Sequence, residues 1–592
     1  MSKTNEAGWG SRVGLILAMA GNSVGLGNFL RFPVQAVENG GGAFIIPYLV
    51  CFLAMGIPLL FVEWSVGRLG GSLGNHSTPF ILDGMDKRRF WKYIGVFGIF
   101  TNIAVAAYYC YLESWTLTYV YHSVSDTFSG QTQAEVANFF GNYVSFDGFE
   151  NVIFWILCLL LNTWILSRGL SGGVEKVAKI GMPILLIFGA FLAYKAITIE
   201  GGEQGALMDG VKGLEYLWTP DYSSIWDGKV WLAAAGQIFF TLSIGMGSIQ
   251  CYASYMKKKD DVALNAMSAG WMNGFVEVVL GSSIIIPIAI GYFGIDGLKE
   301  LLSEGGGLGL GFKTLPYLFE QWGGVLGVIC GVAWFGLLFF AGVTSSLAMG
   351  TPVMGFLSDE FGFSLKKAAW TFGAIVLLLG LPTVAFFNYG VFDEYDYWAG
   401  TVSLVVFAFA EIVLFSWVFG IKKGWKEITY GADIRVPKIF KYIILIVTPA
   451  ILGMVLLFSF PTIKDTISHK ASYEKIEFYR NKAEIQVKSD ANMALLEKKV
   501  DFSTTLIDLN YDDAELDGNK NVSMSSYFLI KKQREFSRLL NEDGYVQSKI
   551  EQEEKTILYK NLSRFVLLFL WFSIAFLVYK AYLKRKKEGR FI

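Results

Sequence analysis

The sequence predicts an all-α integral membrane protein of about twelve transmembrane helices. Hydrophobic residues make up 53% of the 592 residues and charged residues only 17%, a composition too apolar for a water-soluble protein of this length. Apolar runs approaching the roughly 20 residues that a bilayer span requires recur along the chain, for example at 44–66, 372–387 and 565–579. These runs are continuous rather than alternating, which excludes a membrane β-barrel.

The distribution of basic residues predicts how the spans are oriented. Spans one to twelve are predicted near 11–36, 43–68, 91–124, 150–168, 174–197, 228–254, 262–292, 323–355, 366–387, 397–421, 438–460 and 562–584. Two connections after odd-numbered spans, 125–150 and 388–396, contain neither lysine nor arginine. Two connections after even-numbered spans, at 87–92 and 422–435, contain both lysine and arginine. By the positive-inside rule, both termini are cytoplasmic.

A polar insertion of about a hundred residues, 461–560, separates the last two spans. The orientation makes it extracytoplasmic, and its basic residues agree with this because long loops translocate largely regardless of charge. Glu, Lys, Gln and Leu recur in it at helix-like spacing, so we expect a small helical domain, for which a helical hairpin is one form. The chain then divides into a membrane core at 1–460, this insertion, and span twelve with a basic cytoplasmic tail at 561–592.

The reactive residue types exclude several classes of function. All five cysteines lie in apolar runs without a Cys-x-x-Cys pair, so we expect neither a disulfide framework nor a zinc site. The three histidines stand far apart, which leaves little material for a haem or metal cluster. No nucleophile, base and orienting group converge in one loop, so an enzyme is not expected. The net charge of −1 gives no indication of a nucleic-acid partner.

Glycines interrupt the first and sixth spans. Three of them fall within seven residues of span one, at Gly21, Gly25 and Gly27, and span six has the same defect between 236 and 247. Backbone that leaves the helix inside a bilayer is tolerated only where it is buried in protein or lines a wet cavity. The alternative is that these glycines only permit close helix packing.

Breaks at corresponding positions predict two inverted five-helix repeats, at about 9–198 and 226–421, with substrate held between them. Freed carbonyls suit a cation, and the N-termini of half-helices favour an anionic group such as a carboxylate. Because Asn28 and Thr241 flank the breaks, we favour a binding site over simple packing. The pattern therefore indicates a cation-coupled carrier.

Several motifs carry a resemblance to a known family. They are Gly21–Pro33, Glu38–Phe44, Tyr108–Trp115, Phe340–Ser346 and Asp396–Gly400. Through them the chain resembles the neurotransmitter:sodium symporter family, and closely its bacterial leucine-transporter-type members. The resemblance covers about 9–460 and the last span, and it implies sodium-driven transport of a small molecule through two sodium sites.

The resemblance implies two sets of sodium ligands. The first set is the Ser23 carbonyl with Asn28, Thr241 and Asn273. The second set is the carbonyls of Gly21, Val24 and Ala341 with the hydroxyls of Thr344 and Ser345. All are hard oxygen donors, as an alkali cation requires.

The resemblance also implies how an amino acid would bind. Its carboxylate would meet the Leu26 and Gly27 amides and the Tyr109 hydroxyl. Its ammonium would meet the carbonyls of Ser23, Phe240 and Thr241 and the hydroxyl of Ser243. Relatives that carry monoamines have an aspartate where this chain has Gly25, so the substrate here is expected to bring its own carboxylate.

The expected side-chain pocket indicates an uncharged substrate. Its lining would be Val105, Phe240, Met246, Ser345 and Met349. No fixed charge is present among these residues to pair an ionic side chain, whose burial would cost several kcal/mol. Methionine is flexible and makes good contacts with aromatic rings, so we favour a large hydrophobic or aromatic amino acid as the substrate. The alternative is that these methionines only fill space in the protein core.

Two intramembrane carboxylates are candidates for functional roles. Glu277 lies one turn after Asn273, where chloride-dependent relatives have a neutral residue and a bound chloride. Its charge is expected to replace that chloride, so transport should be chloride-independent, and Glu277 is a candidate to carry a proton on the return step. Glu63 is expected to satisfy amides freed by the break in span six.

The resemblance assigns two gates. Arg31 and Asp396 match the outer pair that closes over the substrate, and Trp9 and Asp359 match the inner closure. The family has an arginine three residues before the tryptophan, where this chain has Glu6. Either Lys3 or the packing of Trp9 would then have to close the inner side.

The sequence therefore predicts a sodium-coupled importer of neutral amino acids in a membrane, with a bacterial cytoplasmic membrane favoured by the absence of loop cysteines and long cytoplasmic tails. Three alternatives stay open: a symporter for an osmolyte or ω-amino acid, a non-transporting amino acid receptor, and, least favoured, a membrane enzyme. The insertion at 461–560 is either a binding site for a protein partner or a solvated cap.

Overall fold

A computed structural model describes residues 8–145, 148–219, 222–480 and 544–590. Within these ranges every regular element is a helix, which confirms the all-α prediction. Apolar runs in this chain therefore form helices whose backbone groups are satisfied internally, as lipid requires.

Nine helices in the described ranges are long and apolar enough to cross a membrane. They are Gly41–Ser72, Trp91–Val124, Leu170–Ile197, Val262–Lys299, Gly324–Phe361, Leu365–Ala385, Val391–Val418, Ile439–Ile467 and Tyr545–Lys587. A tenth is added if the bent pair Arg12–Ser23 and Leu26–Glu38 is one span. The segment predicted as span four forms the shorter Glu150–Leu166, and span six forms Gly228–Leu242 and Ser248–Ala253. The count of twelve stays a prediction.

Short helices and π-helical turns complete the chain. The short helices outside these spans are Thr78–Asp83, Gln133–Val144, Val211–Trp218, Tyr222–Trp226, Leu315–Glu320, Phe387–Tyr389 and Ile421–Thr429. The π-helical turns are Phe52–Gly56, Leu170–Val174, Phe275–Gly281, Leu310–Thr314, Asp396–Val402, Leu414–Val418 and Ile443–Val447. Such turns are frequent at functional sites, and two of them contain the predicted site residues Glu277 and Asp396.

Span one breaks where the glycines predict it. Its first helix ends at Ser23, Val24 and Gly25 are extended, and the next helix starts at Leu26 with its axis bent by 52°. Gly25 has a φ of −120°, which any residue can adopt, so this glycine is not needed for its backbone angle. It is needed for space, because a Cβ there would lie 2.8 Å from the Tyr109 hydroxyl.

Span six breaks through left-handed backbone. Its first helix ends at Leu242, and Ser243, Gly245 and Gly247 then have φ values of 53°, 78° and 81°. Glycine adopts this region without a steric penalty, whereas Ser243 is a rarer case. The two glycines thus allow the chain to leave the helix and re-enter it at Ser248.

The spans differ in how deeply they are buried in the protein. The apolar window of Trp91–Val124 is 83% buried, and this helix packs along Gly324–Phe361 at the centre of the molecule. The windows of Ile439–Ile467 and Tyr545–Lys587 are only 22% buried. Exposed Phe565 and Phe569 on the last helix suit contact with lipid. The breaks thus lie among the buried central spans rather than at the periphery.

The chain divides into two compact units, Met1–Phe458 with Ser563–Ile592, and Ser459–Leu562. In the second unit, His469 bonds to Asn561 at 2.9 Å and Lys475 pairs with Glu553 at 3.2 Å. The residue number rises from 469 to 475 on one flank while that of its partner falls from 561 to 553 on the other, so the two flanks of the insertion lie antiparallel. Predictions for 481–543 lie outside the described residues.

Candidate functional site

A cavity of about 280 Å³ lies between the broken halves of spans one and six. Its volume is near the lower end for small-molecule sites, which suits a ligand of amino acid size. Every residue predicted to bind substrate lines it: Ser23, Leu26, Gly27, Val105, Tyr109, Phe240, Thr241, Ser243, Met246, Ser345 and Met349. Sequence reasoning did not select other lining residues, among them Asn22, Tyr108, Leu112, Phe392 and Leu404.

One wall of the cavity presents hydrogen-bond donors. The Leu26 amide donates to the Tyr109 hydroxyl at 3.2 Å, so that hydroxyl keeps its own proton available for an acceptor. The ring of Phe240 lies against Gly27, where a Cβ would come within 2.8 Å of a ring carbon. The Tyr109 hydroxyl, packed directly against Gly25, is therefore a donor suited to a carboxylate.

Two serine hydroxyls among the cavity-lining residues join the two breaks. Ser243 donates to the Asn22 carbonyl at 2.9 Å, and Ser23 donates to the Leu242 carbonyl at 3.3 Å. Both hydroxyl oxygens retain lone pairs that can accept a bond from an ammonium group. The breaks are therefore held together by side chains that line the cavity.

Three side chains from three spans meet beside the cavity. Asn28 donates to Thr241 at 3.2 Å and to Asn273 at 2.8 Å, and Asn273 donates to Thr241 at 2.9 Å. All three are buried. The structure therefore brings together the side chains expected at the first sodium site, with neutral oxygen atoms of the kind an alkali cation accepts.

A second group of oxygens lies where spans one and eight touch. Ser345 donates to the Gly21 carbonyl at 3.2 Å, and Thr344 donates to the Ala341 carbonyl at 3.2 Å. A Cβ at Gly21 would lie 2.8 Å from the Thr344 Cβ, so these two residues are in direct apposition. Val24 lies in the extended break of span one. The residues expected at the second sodium site thus come from facing segments.

Glu277 is fully buried and accepts hydrogen bonds from Tyr48 and Gln237. It lies in the π-helical turn that directly follows the helix carrying Asn273. A buried carboxylate is costly unless hydrogen bonds or a nearby cation compensate it. The two neutral donors Tyr48 and Gln237 supply hydrogen bonds of this kind.

Other polar groups are buried near the cavity, and two of them, Glu63 and Asn102, bond to the break in span six. Glu63 accepts a 2.6 Å bond from the Gly245 amide, as the sequence predicts. Asn102 donates to the Met246 carbonyl at 2.6 Å. Sequence reasoning missed Glu113, which accepts from Asn162 at 2.9 Å and Ser346 at 2.5 Å. A carboxylate within an apolar span is the signal that could have found it.

The outer gate residues line the cavity without forming an ion pair. Arg31 stacks on Phe240, with its guanidinium 4.4 Å from the ring centre. Asp396 accepts a 2.5 Å bond from the Tyr108 hydroxyl. Among the ion pairs of the described ranges, none joins Arg31 to Asp396. In the structure, Arg31 therefore contacts Phe240 and Asp396 contacts Tyr108, although the two were predicted to pair with each other.

The inner gate residues lie away from the cavity. Trp9 donates to the Tyr252 carbonyl at 3.0 Å, which ties the start of span one to span six. Asp359 accepts a 2.8 Å bond from the His76 amide, with the His76 ring nitrogen 3.3 Å away. That ring stacks on Tyr255 at 4.5 Å. Glu6 and Lys3 lie outside the described residues, so His76 is the neighbour of Asp359 that sequence reasoning did not anticipate.

Comparison with known proteins identifies the family. The model of the sodium:neurotransmitter symporter family matches residues 6–139 and 145–484. An uncharacterized sodium-dependent transporter of Methanocaldococcus jannaschii is 31% identical over 77% of this chain and 90% of its own length. A sodium-dependent nutrient amino acid transporter of Drosophila grimshawi is 23% identical over 78% of each chain.

A solved structure has the same fold. The crystal structure of MhsT in complex with L-phenylalanine is 28% identical to this chain, with a TM-score of 0.67. The match covers 77% of this chain and 100% of MhsT. The family motifs therefore coincide with a matching fold and a small cavity between the two broken spans. The chain belongs to the sodium:neurotransmitter symporter family and is a sodium-dependent membrane transporter.

Proposed function

We propose that this protein is a symporter that uses sodium to import neutral amino acids, preferably large hydrophobic or aromatic ones, by alternating access. The observation that carries the proposal is that Gly25 brings no acidic side chain to the cavity and lies directly against the Tyr109 hydroxyl, which can donate a hydrogen bond. A substrate carboxylate fits a donor of this kind, and no acidic side chain at position 25 competes for it. The substrate therefore supplies the acid group itself.

The apolar end of the cavity accepts the substrate side chain. Val105, Phe240, Met246 and Met349 line it, and the methionines can adapt to an aromatic ring. Support comes from the relatives, since MhsT is solved with L-phenylalanine and the Drosophila protein is named as a nutrient amino acid transporter. Phenylalanine is therefore the first substrate to test.

Two sodium ions provide the driving force in this proposal. One binds at Asn28, Thr241 and Asn273, and the other between span one and Thr344 and Ser345. A zwitterionic substrate adds no net charge, so the ions do the electrical work. Each charge that crosses about 100 mV provides roughly 2.3 kcal/mol, so two provide about 4.6 kcal/mol, or on the order of a thousandfold accumulation.

Chloride is not required in this proposal, because Glu277 supplies a fixed negative charge next to the first sodium site. The proposed topology has twelve spans, two inverted repeats and both termini in the cytoplasm of a bacterial cell. The insertion at 461–560 is extracytoplasmic in that topology, where a protein partner could reach it.

Equilibrium binding tests the proposal on the purified protein. Tritiated phenylalanine should bind saturably in sodium chloride, with equal affinity in sodium gluconate, and should not bind in potassium chloride. Competition by leucine and tryptophan, but not by betaine or γ-aminobutyrate, would support a neutral α-amino acid over an osmolyte or ω-amino acid. Binding that ignores sodium, or that only betaine displaces, would contradict the proposal.

A further inference from the structure

The last membrane helix, Tyr545–Lys587, carries the half-buried Arg564 towards one end of its apolar part and the buried Arg585 towards the other. Arg564 and Arg585 are separated by about 21 residues, or roughly 31 Å along a helix, which is close to the thickness of the hydrocarbon core. Both point the same way, because buried Leu567, Ile574 and Val578 lie between them at spacings of three, four and seven residues.

At one end, Arg564 is held by a carboxylate beside the outer gate. Its guanidinium bonds to both oxygens of Glu394, at 2.7 and 3.0 Å, and Trp398 donates to the same carboxylate at 2.8 Å. The Arg564 side chain is 14% exposed and that of Glu394 is 3% exposed. Glu394 lies two residues before Asp396, so this clamp fixes the segment that carries an outer gate residue.

At the other end, Arg585 is held beside the inner gate. It bonds to both oxygens of Glu360, donates to Asn75 at 2.8 Å, and lies 3.8 Å above the Phe80 ring. Glu360 follows Asp359 directly, and Asn75 precedes His76, the residue that contacts Asp359. The clamp therefore holds both segments that meet at the inner gate.

Ordinary arginines at the ends of a span extend towards water or lipid headgroups. These two instead form bidentate pairs with buried carboxylates, which is a costly arrangement unless position matters. The rest of the helix is mostly exposed, with Phe565, Phe569 and Phe572 facing outwards. Its polar attachments to the core are thus concentrated next to the two gates.

We propose that the last span is a tie between the gates: through Arg564–Glu394 and Arg585–Glu360 it stabilises the arrangement in which the cavity reaches Arg31 and Asp396 and the inner side is closed. This inference rests on the proposed function, because Asp396 and Asp359 are gate residues only in an alternating-access transporter. Arg564 and Arg585 are positioning residues, since neither lines the substrate cavity. Releasing either end shifts the population towards the inward-open state.

Cysteine labelling on each side of the membrane tests the tie. In a background with the five buried native cysteines replaced, Leu15→Cys reports on the inner side near Trp9, and Val34→Cys reports on the outer side of the substrate cavity. The variant pair R564Q/E394Q removes the outer clamp without leaving a buried charge unpaired. It should speed labelling of Leu15→Cys by about tenfold and slow labelling of Val34→Cys.

Further variants distinguish a specific effect of the two arginine–carboxylate pairs from non-specific destabilisation of the protein. R585Q/E360Q should give the same two changes, and the charge-swapped R564E/E394R should return labelling towards the starting rates. The milder Arg564→Lys keeps the charge but loses the bidentate geometry, so a smaller shift in the same direction is expected. Lys580→Gln removes an exposed cation from the same helix and should change neither rate.

The inference is overturned if R564Q/E394Q and Arg564→Lys change the labelling rate of Val34→Cys alone, or of neither reporter cysteine, while phenylalanine binding stays intact. The outer clamp would then have no effect on the inner side. Failure of the proposed function gives a different result, because the starting protein would then show no sodium-dependent phenylalanine binding at all.

Discussion

At the scale of single residues, the substrate class that we propose depends on a missing side chain. Gly25 has an unstrained φ, yet a Cβ there would approach the Tyr109 hydroxyl to 2.8 Å and the Ser345 hydroxyl to 3.2 Å. The identity of this residue could be predicted as important from its motif. The reason that glycine is required there could not be predicted, because Tyr109 and Ser345, which a side chain would contact, come from other spans.

Gly25→Ala should weaken phenylalanine binding. Overpacking of a tight site costs about 1–3 kcal/mol, which corresponds to roughly a tenfold to hundredfold loss of affinity. Gly236→Ala is the matched control on the other broken span, since a Cβ there would meet nothing within 4 Å. Equal affinities for the Gly25→Ala variant and the starting protein would show that the carboxylate does not bind at this place.

Glu277 leads to a prediction about ion dependence. Glu277→Ser removes the fixed negative charge beside Asn273 while Tyr48 and Gln237 remain as donors able to bind an anion. Phenylalanine binding by this variant should therefore require chloride, whereas the starting protein binds equally in chloride and gluconate. Equal binding by the variant in both salts would contradict the role assigned to this carboxylate.

At the scale of helices, the break in span six depends on glycine backbone. Gly245 has a φ of 78°, and a Cβ there would lie 2.9 Å from the Leu404 carbonyl carbon. Gly245→Ala should lower thermal stability, by about 1 kcal/mol or more from the backbone strain alone, whereas Gly236→Ala should not. Melting followed by size-exclusion chromatography measures this, and an unchanged melting temperature for Gly245→Ala would show that the break tolerates a side chain.

The predicted inner gate also joins separate elements, since His76 in the loop after span two contacts Asp359 at the end of span eight. His76→Ala should speed labelling of Leu15→Cys several-fold, because Asp359 loses its ring contact and Tyr255 loses its stacking partner. His122→Ala is the matched control, a histidine whose contacts are with Thr127 and Glu150 instead. Equal labelling in both variants would exclude a role for His76 in closure.

At the scale of the whole molecule, the membrane class, the two breaks and the residues around the cavity could be predicted from composition and motifs. Apolar runs and glycine clusters are local signals. The partners of Asp359, Glu113 and Arg585 could not be predicted, because each lies more than thirty residues away along the chain, in another element. Residues that meet only through folding leave no periodic signal.

The central claim is that sodium drives amino acid accumulation, and uptake of labelled phenylalanine into proteoliposomes tests it most directly. An inward sodium gradient should drive accumulation above the external concentration, an equal potassium gradient should not, and Asn28→Ala or Thr344→Ala should abolish it. Sodium-dependent binding without accumulation would contradict transport and indicate an amino acid receptor instead.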